Sequence, residues 1–479
     1  MRSGLLRYNN FTGGEASKFP VLAMHPKYSV RLQNCHVSDR GGIAKIPGYT
    51  AVNSASAGVE LKSGFEFRKA NGTAENLTAG GGKIFKGSAM SEIKTGLNAS
   101  AKCYFSSMND LCVITNGVDT PMKYGGSSVS ALGGNPPATT FKTHVHKGRM
   151  WFLERNNKAL ASHSALNNPE SQEGYIDFRS ILGEGDELLD TFTYIDLQVF
   201  VLRNYIVIYS GQTPSGVNAD YRLVQVIRYT GGAGTDVSLP FGSDAGIVTP
   251  SGVKTLRQVV TTGNLNIGDV SDIINPTLRE EIANASNFAC GHYPKKGWAF
   301  LLLGDTVRIY DYTHKAWARM VGADVKGMFN TADGKLYLTG TGYLYEYGSG
   351  WTFAGNHPAM IWDTAWLPIS KDGRPVYPKF AEIVTYPQDV TDISMDVAYD
   401  MNIPMTENRR VISTQPEAFM YCDNVTDCDA WEPLDPIPYS AVRAPLFGRG
   451  RSMQMTFSNI SDKPVEISDI ALQAAAGGF

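Results

Sequence analysis

The chain has 479 residues, is 43% hydrophobic and only 19% charged, and carries a formal net charge of −3. That charge excludes nucleic-acid binding by bulk electrostatics, and the length excludes one ordinary core, so two or more domains, or one large all-β body with additions, are expected. The 49 glycines, 23 tyrosines and 21 phenylalanines, set against so few charges, favour many short strands joined by turns.

Residues 11–49 read F-T-G-G-E-A-S, then K-Y-S-V-R-L-Q-N, then G-G-I-A-K-I-P-G-Y. Gly13-Gly14 and Gly41-Gly42 permit backbone angles closed to other residues, and Pro47-Gly48 is a turn dipeptide. Tyr28, Val30 and Leu32 alternate with Lys27, Ser29, Arg31 and Gln33, which predicts a half-buried strand. Residues 1–50 hold seven Lys/Arg against Glu15 and Asp39. The excess suits a solvated surface, or contact with an acidic partner.

After a small-residue connector (51–58), one pattern recurs: a Gly, Asn or Asp turn, a short apolar strand, another turn, and a strand often ending in Tyr. It occurs at 81–87, at 109–117 with 122–125, at 147–158, 196–211, 258–268 (weakest), 296–312 and 333–348. Turn chemistry at Arg203-Asn204, Gly304-Asp305 and Gly340-Thr341-Gly342 makes these hairpins. Hairpins repeating every roughly 30 to 60 residues bracket the period of a β-propeller, and at roughly 45 residues per blade they predict six or seven blades. A meander of β-sandwiches is the competing architecture. Asn275 to Ser286 is the clearest helix, with Asn275 as cap and Pro276 in its first turn. The segments 211–220 and 230–243 have little apolar pattern and are expected to be long loops leaving the propeller.

From about Thr352 prolines cluster and strands lengthen: Ala381 to Tyr386, Ile393 to Tyr399, and Arg451 to Phe457. Met453, Met455 and Phe457 alternate with Gln454 and Thr456, the mark of a sheet with one buried face. The expected division is 1–50, a propeller over 51–351, and a β-rich domain over 352–479.

Six cysteines without regular spacing predict free thiols rather than a disulfide framework, although Cys422 and Cys428 could meet across a loop. No signal peptide is expected at the start of the chain, and the longest apolar run, Trp298 to Leu303, is too short to span a bilayer. His144 and His146 share a strand face as two zinc ligands would, but no third ligand sits at a convincing spacing. Ser370-Lys371-Asp372-Gly373 resembles the sialidase Asp-box, yet its glycine follows the aspartate directly, and a plain turn is the better reading. No G-x-S-x-G or Walker loop occurs. Glu184 with Asp186, and Glu280 with Glu281, read as solvated carboxylates. No enzyme activity, cofactor or metal is expected. Arg449 and Arg451, with Arg443 nearby, form a small basic patch that suits a phosphate contact, an interface or a guarded edge strand.

Residues 11–49 resemble the amino-terminal signature of the tail nozzle proteins of short-tailed bacteriophages, also called tail tubular protein B or packaged-DNA stabilisation protein. The matching positions are Phe11, Gly13, Gly14, Glu15, Ser17, Lys27, Tyr28, Asn34, Gly41, Gly42, Lys45, Pro47 and Gly48. Two departures stand out: Ala23-Met24-His25-Pro26 replaces the family's Arg-x-Asp, and Lys45-Ile46 its doubly basic run. The G-G-K-I-F-K-G hairpin, the helix before residue 290 and G-R-G-R-S-M-Q-M-T-F also resemble the family.

The resemblance implies a structural virion protein made in the host bacterial cytoplasm. It would be a subunit of a homo-hexameric ring below the portal and adaptor, with a β-propeller and a β-rich platform formed from both chain termini. Its partners would be its own copies, the head-to-tail connector, tail fibres, tailspikes or a needle, and double-stranded DNA passing through the lumen without sequence specificity. Lys27, Tyr28, Arg31, Lys45, Arg449 and Arg451 are the expected subunit or adaptor contacts, and the loops near 211–243 would face the lumen or distal tip. The competing function is a propeller that binds or cleaves host-surface glycans.

Overall fold

The computed structural model describes residues 5–474 apart from 243, 257–267, 371–372, 387–388, 403–408, 415–419, 423–430 and 434–439. The chain divides into two compact units. One comprises residues 1–49, 309–323 and 349–479; the other comprises 50–308 and 324–348.

The second unit is a β-propeller with seven blades. The inner strands are Ser63–Arg68, Tyr104–Met108, Thr140–His146, Leu188–Tyr194, Ser238–Phe241, Phe288–Tyr293 and Gly327–Asn330. Each packs against the next and the last returns to the first, so the ring closes. Blades one to four are four-stranded antiparallel sheets ending in Ser91–Lys94, Val129–Ala131, Asn168–Asp177 and Arg222–Arg228. Among the described residues the fifth has three strands, Ser238–Phe241, Asp244–Thr249 and Gly252–Thr255. In the seventh, Leu336–Thr339 and Leu344–Tyr347 are followed by Tyr49–Ala51 from the other end of the chain. There the Val52 N–H donates to the Leu344 carbonyl at 2.8 Å, and the Asn53 amide bridges the Leu344 N–H and the Gly342 carbonyl. Closing the last blade with a distant strand removes the free edges that an open ring would leave.

The expected hairpins appear where turn residues demanded them. Arg203-Asn204 joins Leu197–Leu202 to Tyr205–Ser210, and Gly304-Asp305 joins Trp298–Leu303 to Thr306–Asp311, with Gly304 at φ 62°. Between blades, apolar faces interlock: Trp151, Phe178 and Phe200 between the third and fourth, and Phe67, Ile84, Ile114 and Tyr124 between the first and second.

Three expectations need correction. The segment 230–243 is not all loop, and a strand separates it from 211–220. Arg222–Arg228 is the outer strand of the fourth blade, mostly exposed and so without an apolar stripe, and Ser238–Phe241 is an inner strand whose Leu239 and Phe241 are buried while Pro240 faces out. The helix is Asn275–Asn284, but Ile274 is its cap residue. Asn275 sits inside and turns its amide to Asp269 and Ser271. Glu281 is not a free helix charge; it grips the fully buried Arg308 at 2.5 and 2.7 Å. The weak hairpin at 258–268 lies, save its last residue, outside the described residues.

The first unit stacks two sheets over one core. One sheet runs Cys35–Val37, Ile43–Lys45, Glu466–Ala474, Pro378–Thr385, Ser440–Pro445, with Leu5–Tyr8 also pairing to Glu466–Ala474. The other contains Ala316–Met320, Tyr28–Gln33, Met360–Thr364, Ser452–Asn459, Thr391–Tyr399 and Arg410–Thr414 in that order. Leu32, Val37, Ile43, Trp362, Ile383, Met395, Met455, Phe457, Ile467 and Leu472 fill the space between them. Met453, Met455 and Phe457 are all fully buried, as their alternation required.

Two features of this unit were not anticipated. Residues 309–323 belong with the termini rather than with the propeller, because Ala316–Met320 lies parallel to Tyr28–Gln33, with Arg319 opposite Gln33. In Tyr28–Gln33 the alternation slips: the register shifts between Ser29 and Arg31, and Ser29, not Tyr28, is buried. A bulge turns the side chains after it to the other face, and the Ser29 hydroxyl accepts a hydrogen bond from Trp362 Nε1 at 2.9 Å.

Candidate functional site

The signature residues of the first unit are architectural. Glu15 is 1% exposed; its two oxygens accept from Arg319 Nη2 and Nε at 2.7 and 2.9 Å, and one also accepts the Leu32 N–H at 3.2 Å. Asn34, at φ 53°, donates its amide to the Val321 and Ala359 carbonyls at 3.1 and 2.9 Å and accepts the Val321 N–H at 2.8 Å. One side chain thus satisfies three backbone groups from two segments, which leaves none of them buried and unpaired. Gly14 has φ 71°, and a Cβ there would stand 2.8 Å from Ala316. At Gly13 it would enter the Tyr28 ring, and at Gly42 it would reach 2.4 Å from the Ile467 carbonyl. Gly41 takes φ 81° in the turn from Cys35–Val37 to Ile43–Lys45. Gly48 admits Thr352 so closely that a Cβ would collide with its carbonyl, while Pro47 precedes it in the turn and Tyr49 stacks on Phe353 at 4.9 Å.

The six expected contact residues divide. Lys27 and Tyr28 are half-buried neighbours, the ammonium 4.9 Å from the ring centroid. Arg31 is partly exposed and pairs with Asp363 at 2.9 Å. Arg449 is exposed and donates to the Tyr377 hydroxyl at 2.9 Å. Arg451 is exposed and lines an open cleft of about 410 Å³ with Leu22, Trp366, Pro368, Asp400, Met401 and Ser452. Sequence reading missed Leu22, which is 62% exposed on the short 3₁₀ turn Val21–Ala23; a leucine just after Pro20 was its one signal.

Lys45 is a correction: it is not a surface contact. It is 1% exposed, and its ammonium donates to Asn459 Oδ1 at 3.3 Å and to the Ser461 carbonyl. Ile43–Lys45 pairs with Glu466–Ala474, which carries Lys45 inward under the 459–463 loop. Burial lowers its pKa from 10.5 to about 8, the charge of Asp462 opposing the shift. A lowered folded-state value means that the unfolded chain binds the extra proton between the two pKa values, so stability rises with pH there. Unfolding free energy should therefore climb by roughly 3 kcal/mol between about pH 8 and 10.5. Lys45→Met, followed by urea titration across that range, should lose the rise.

The propeller's other candidates are structural in form. His144 Nε2 and His146 Nδ1 both meet Thr193 Oγ1, at 2.8 and 2.9 Å, and burial lowers their pKa values to about 3 and about 4. Among the described residues no group of His, Cys, Asp and Glu is arranged to hold a metal. Asp186 holds the Glu187 and Asn204 backbone N–H groups. Cys35, Cys103, Cys112 and Cys290 are free thiols. Residues 371–372 of the Asp-box-like turn, and Cys428 of the Cys422–Cys428 pair, lie outside what is described.

At the propeller axis, sequence reading missed a buried charge cluster. Asp236 receives Lys102 at 2.6 Å and Lys142 at 2.5 Å, and Lys142 also meets Asp190 at 2.6 Å. Tyr104 adds a hydroxyl bond to Thr235 at 2.9 Å. These residues come from blades two to five and tie them together across the axis. The paired lysines lower the Asp236 pKa to about 2 against the opposing effect of burial, whereas burial raises that of Asp190. Beside the cluster lies a cavity of about 180 Å³.

No family model matches the chain, and no curated protein does. Among solved structures, the WD40 β-propeller domain of Doa1 is 10% identical with a TM-score of 0.42, covering 63% of this chain and 96% of that one. YCF48 bound to D1 peptide is 10% identical at 0.42, over 64% and 98%. BamB from Moraxella catarrhalis is 9% identical at 0.38, over 64% and 91%. All three likenesses are faint, and what those proteins bind says nothing of this chain. No helix among the described residues is long and apolar enough to cross a membrane.

Proposed function

We propose that the protein is a tail nozzle subunit of a short-tailed bacteriophage, a structural component that closes into a ring, attaches below the portal and adaptor, and surrounds the path by which DNA leaves the capsid. The reading rests on the resemblance of residues 11–49. What supports it is the use made of that stretch: Gly13, Gly14, Glu15, Asn34, Gly42 and Gly48 each hold a close contact in the core of the unit built from both termini. Lys27, Tyr28, Arg31, Arg449 and Arg451 are the contacts proposed for neighbouring subunits or an acidic adaptor surface, without Lys45.

Electron microscopy of the purified protein, alone and with its adaptor, tests the reading. Rings are the expected result; a stable monomer that forms no ring even with adaptor present overturns it. Replacing Lys27, Arg31, Arg449 and Arg451 together by alanine should reduce tail attachment at least tenfold. The unfolding free energy should change by about 1 kcal/mol or less, since the Arg31–Asp363 pair is open to solvent on its arginine side, 37% exposed, and such pairs stabilise little. Unchanged attachment would remove these residues from the interface.

A further inference from the structure

We propose that the cavity on the propeller axis is a binding site for a small oxyanion, a carboxylate or a phosphate- or sulfate-like group, an inference independent of the virion reading. The cavity, about 180 Å³, is lined from the inner strands of six blades. A water molecule's share of liquid is about 30 Å³, so the space suits several waters or one small anion.

Its wall repeats a motif. Lys62, Lys102 and Lys142 each stand three residues before an apolar position of their blade's inner strand, Phe65, Phe105 and Val145. Asp236 and Asp190 neutralise Lys102 and Lys142. Lys62 makes no ion pair among the described residues; its ammonium donates to the Ser100 carbonyl at 3.1 Å. The cavity is lined by three lysines and one carboxylate, Asp236; even with Asp190 counted, which pairs with Lys142 from outside the lining, the lysines exceed the carboxylates by one, which favours an anion over a cation.

Two hydroxyls complete the case. Ser63 and Thr143 line the same cavity, are 7% and 3% exposed, and have no hydrogen-bond partner among the described residues. Buried polar groups are nearly always satisfied, by protein, water or ligand. Here two donors from the first and third blades border one space, where an oxygen-rich anion can accept both.

Calorimetric titration of the full chain at low ionic strength with inorganic phosphate, sulfate and acetate is the test. Saturable binding of at least one is expected, and comparing the three distinguishes the carboxylate from the tetrahedral anions. The Ser63→Ala/Thr143→Val double variant should weaken that binding by about 30- to 100-fold, as the loss of two hydrogen bonds predicts. Its unfolding midpoint without anion should match the parent's, which separates lost binding from lost folding. Crystals of the parent chain soaked in selenate should show an anomalous peak in the cavity. No saturable binding of any of the three anions, a cavity holding water alone, or affinity unchanged in the double variant would each overturn the proposal.

Discussion

Arg319→Met should destabilise the unit formed by the chain termini by about 3–5 kcal/mol, the cost of stranding one partner of a buried ion pair. The Glu15 side chain is 1% exposed, so after the substitution its carboxylate stays away from water and loses both guanidinium bonds, at 2.7 and 2.9 Å. The hydrogen bond from the Leu32 N–H, at 3.2 Å, offsets little of that loss. The pair also sets the position of strands: Glu15 sits beside Ser29 in a short parallel pairing, and Arg319 sits beside Gln33 in another. Removing both charges is a different experiment. Glu15→Leu combined with Arg319→Met leaves no orphaned charge and should recover most of the loss, because apolar replacements of a buried pair are often neutral. Urea titration of the parent, the two single variants and the double variant gives the coupling between the residues. A loss below about 1 kcal/mol in Arg319→Met would mean that solvent reaches the site and that the pair does not organise these strands.

What the sequence made legible, and what it hid, follows from the range of the interactions. Hairpins at Arg203-Asn204, Gly304-Asp305 and Gly340-Thr341-Gly342 depend on a few adjacent residues, and turn chemistry is local. Blade number depends on closure. The seventh blade is completed by Tyr49–Ala51, and the inner strand Ser238–Phe241 is only four residues long and contains a proline, so repeat counting left six or seven open. The transfer of residues 309–323 to the terminal unit was invisible because its cause is a pairing between positions as far apart as Gln33 and Arg319. Ser29 and Lys45 failed for related reasons. A bulge reversed the alternation at the first, and an edge pairing of Ile43–Lys45 with a strand more than four hundred residues later covered the second. Gly13-Gly14, Gly41-Gly42 and Pro47-Gly48 were picked out from the chain itself, and Glu15 and Asn34 from the family resemblance, but nothing local says that Gly48 makes room for Thr352 or that Asn34 spans two segments.

Asp236→Asn should cost the propeller about 3–5 kcal/mol. The side chain keeps its size, so any loss is electrostatic rather than a cavity effect. In the parent, Asp236 accepts Lys102 at 2.6 Å and Lys142 at 2.5 Å; in the variant two buried ammonium groups share Asp190 alone. Lys102 retains the Phe288 carbonyl at 2.8 Å, but a neutral oxygen does not offset a buried charge. Adding Lys102→Met to Asp236→Asn removes the one surplus ammonium and leaves the Lys142–Asp190 pair in place at 2.6 Å, so it should restore part of the stability, a compensation that independent sites would not show. The measurement can be confined to this unit, since by sequence Trp151 and Trp298 are its only tryptophans and both are buried; with Trp317, Trp351, Trp362, Trp366 and Trp431 replaced by phenylalanine, fluorescence reports the propeller alone. Acid titration supplies the sign. The folded pKa of Asp236 is lowered to about 2, so its contribution is fully present above the unfolded value of about 3.9 and is lost as pH falls through about 2. Asp190, with its pKa raised, acts in the opposite sense: it favours the folded state at low pH and loses that effect as pH rises through its folded value. The parent should therefore hold its propeller fluorescence below pH 4, and Asp236→Asn should lose it at a higher pH. Coincident acid transitions in the two proteins would show that the lysine–aspartate cluster does not fasten the blades across the axis.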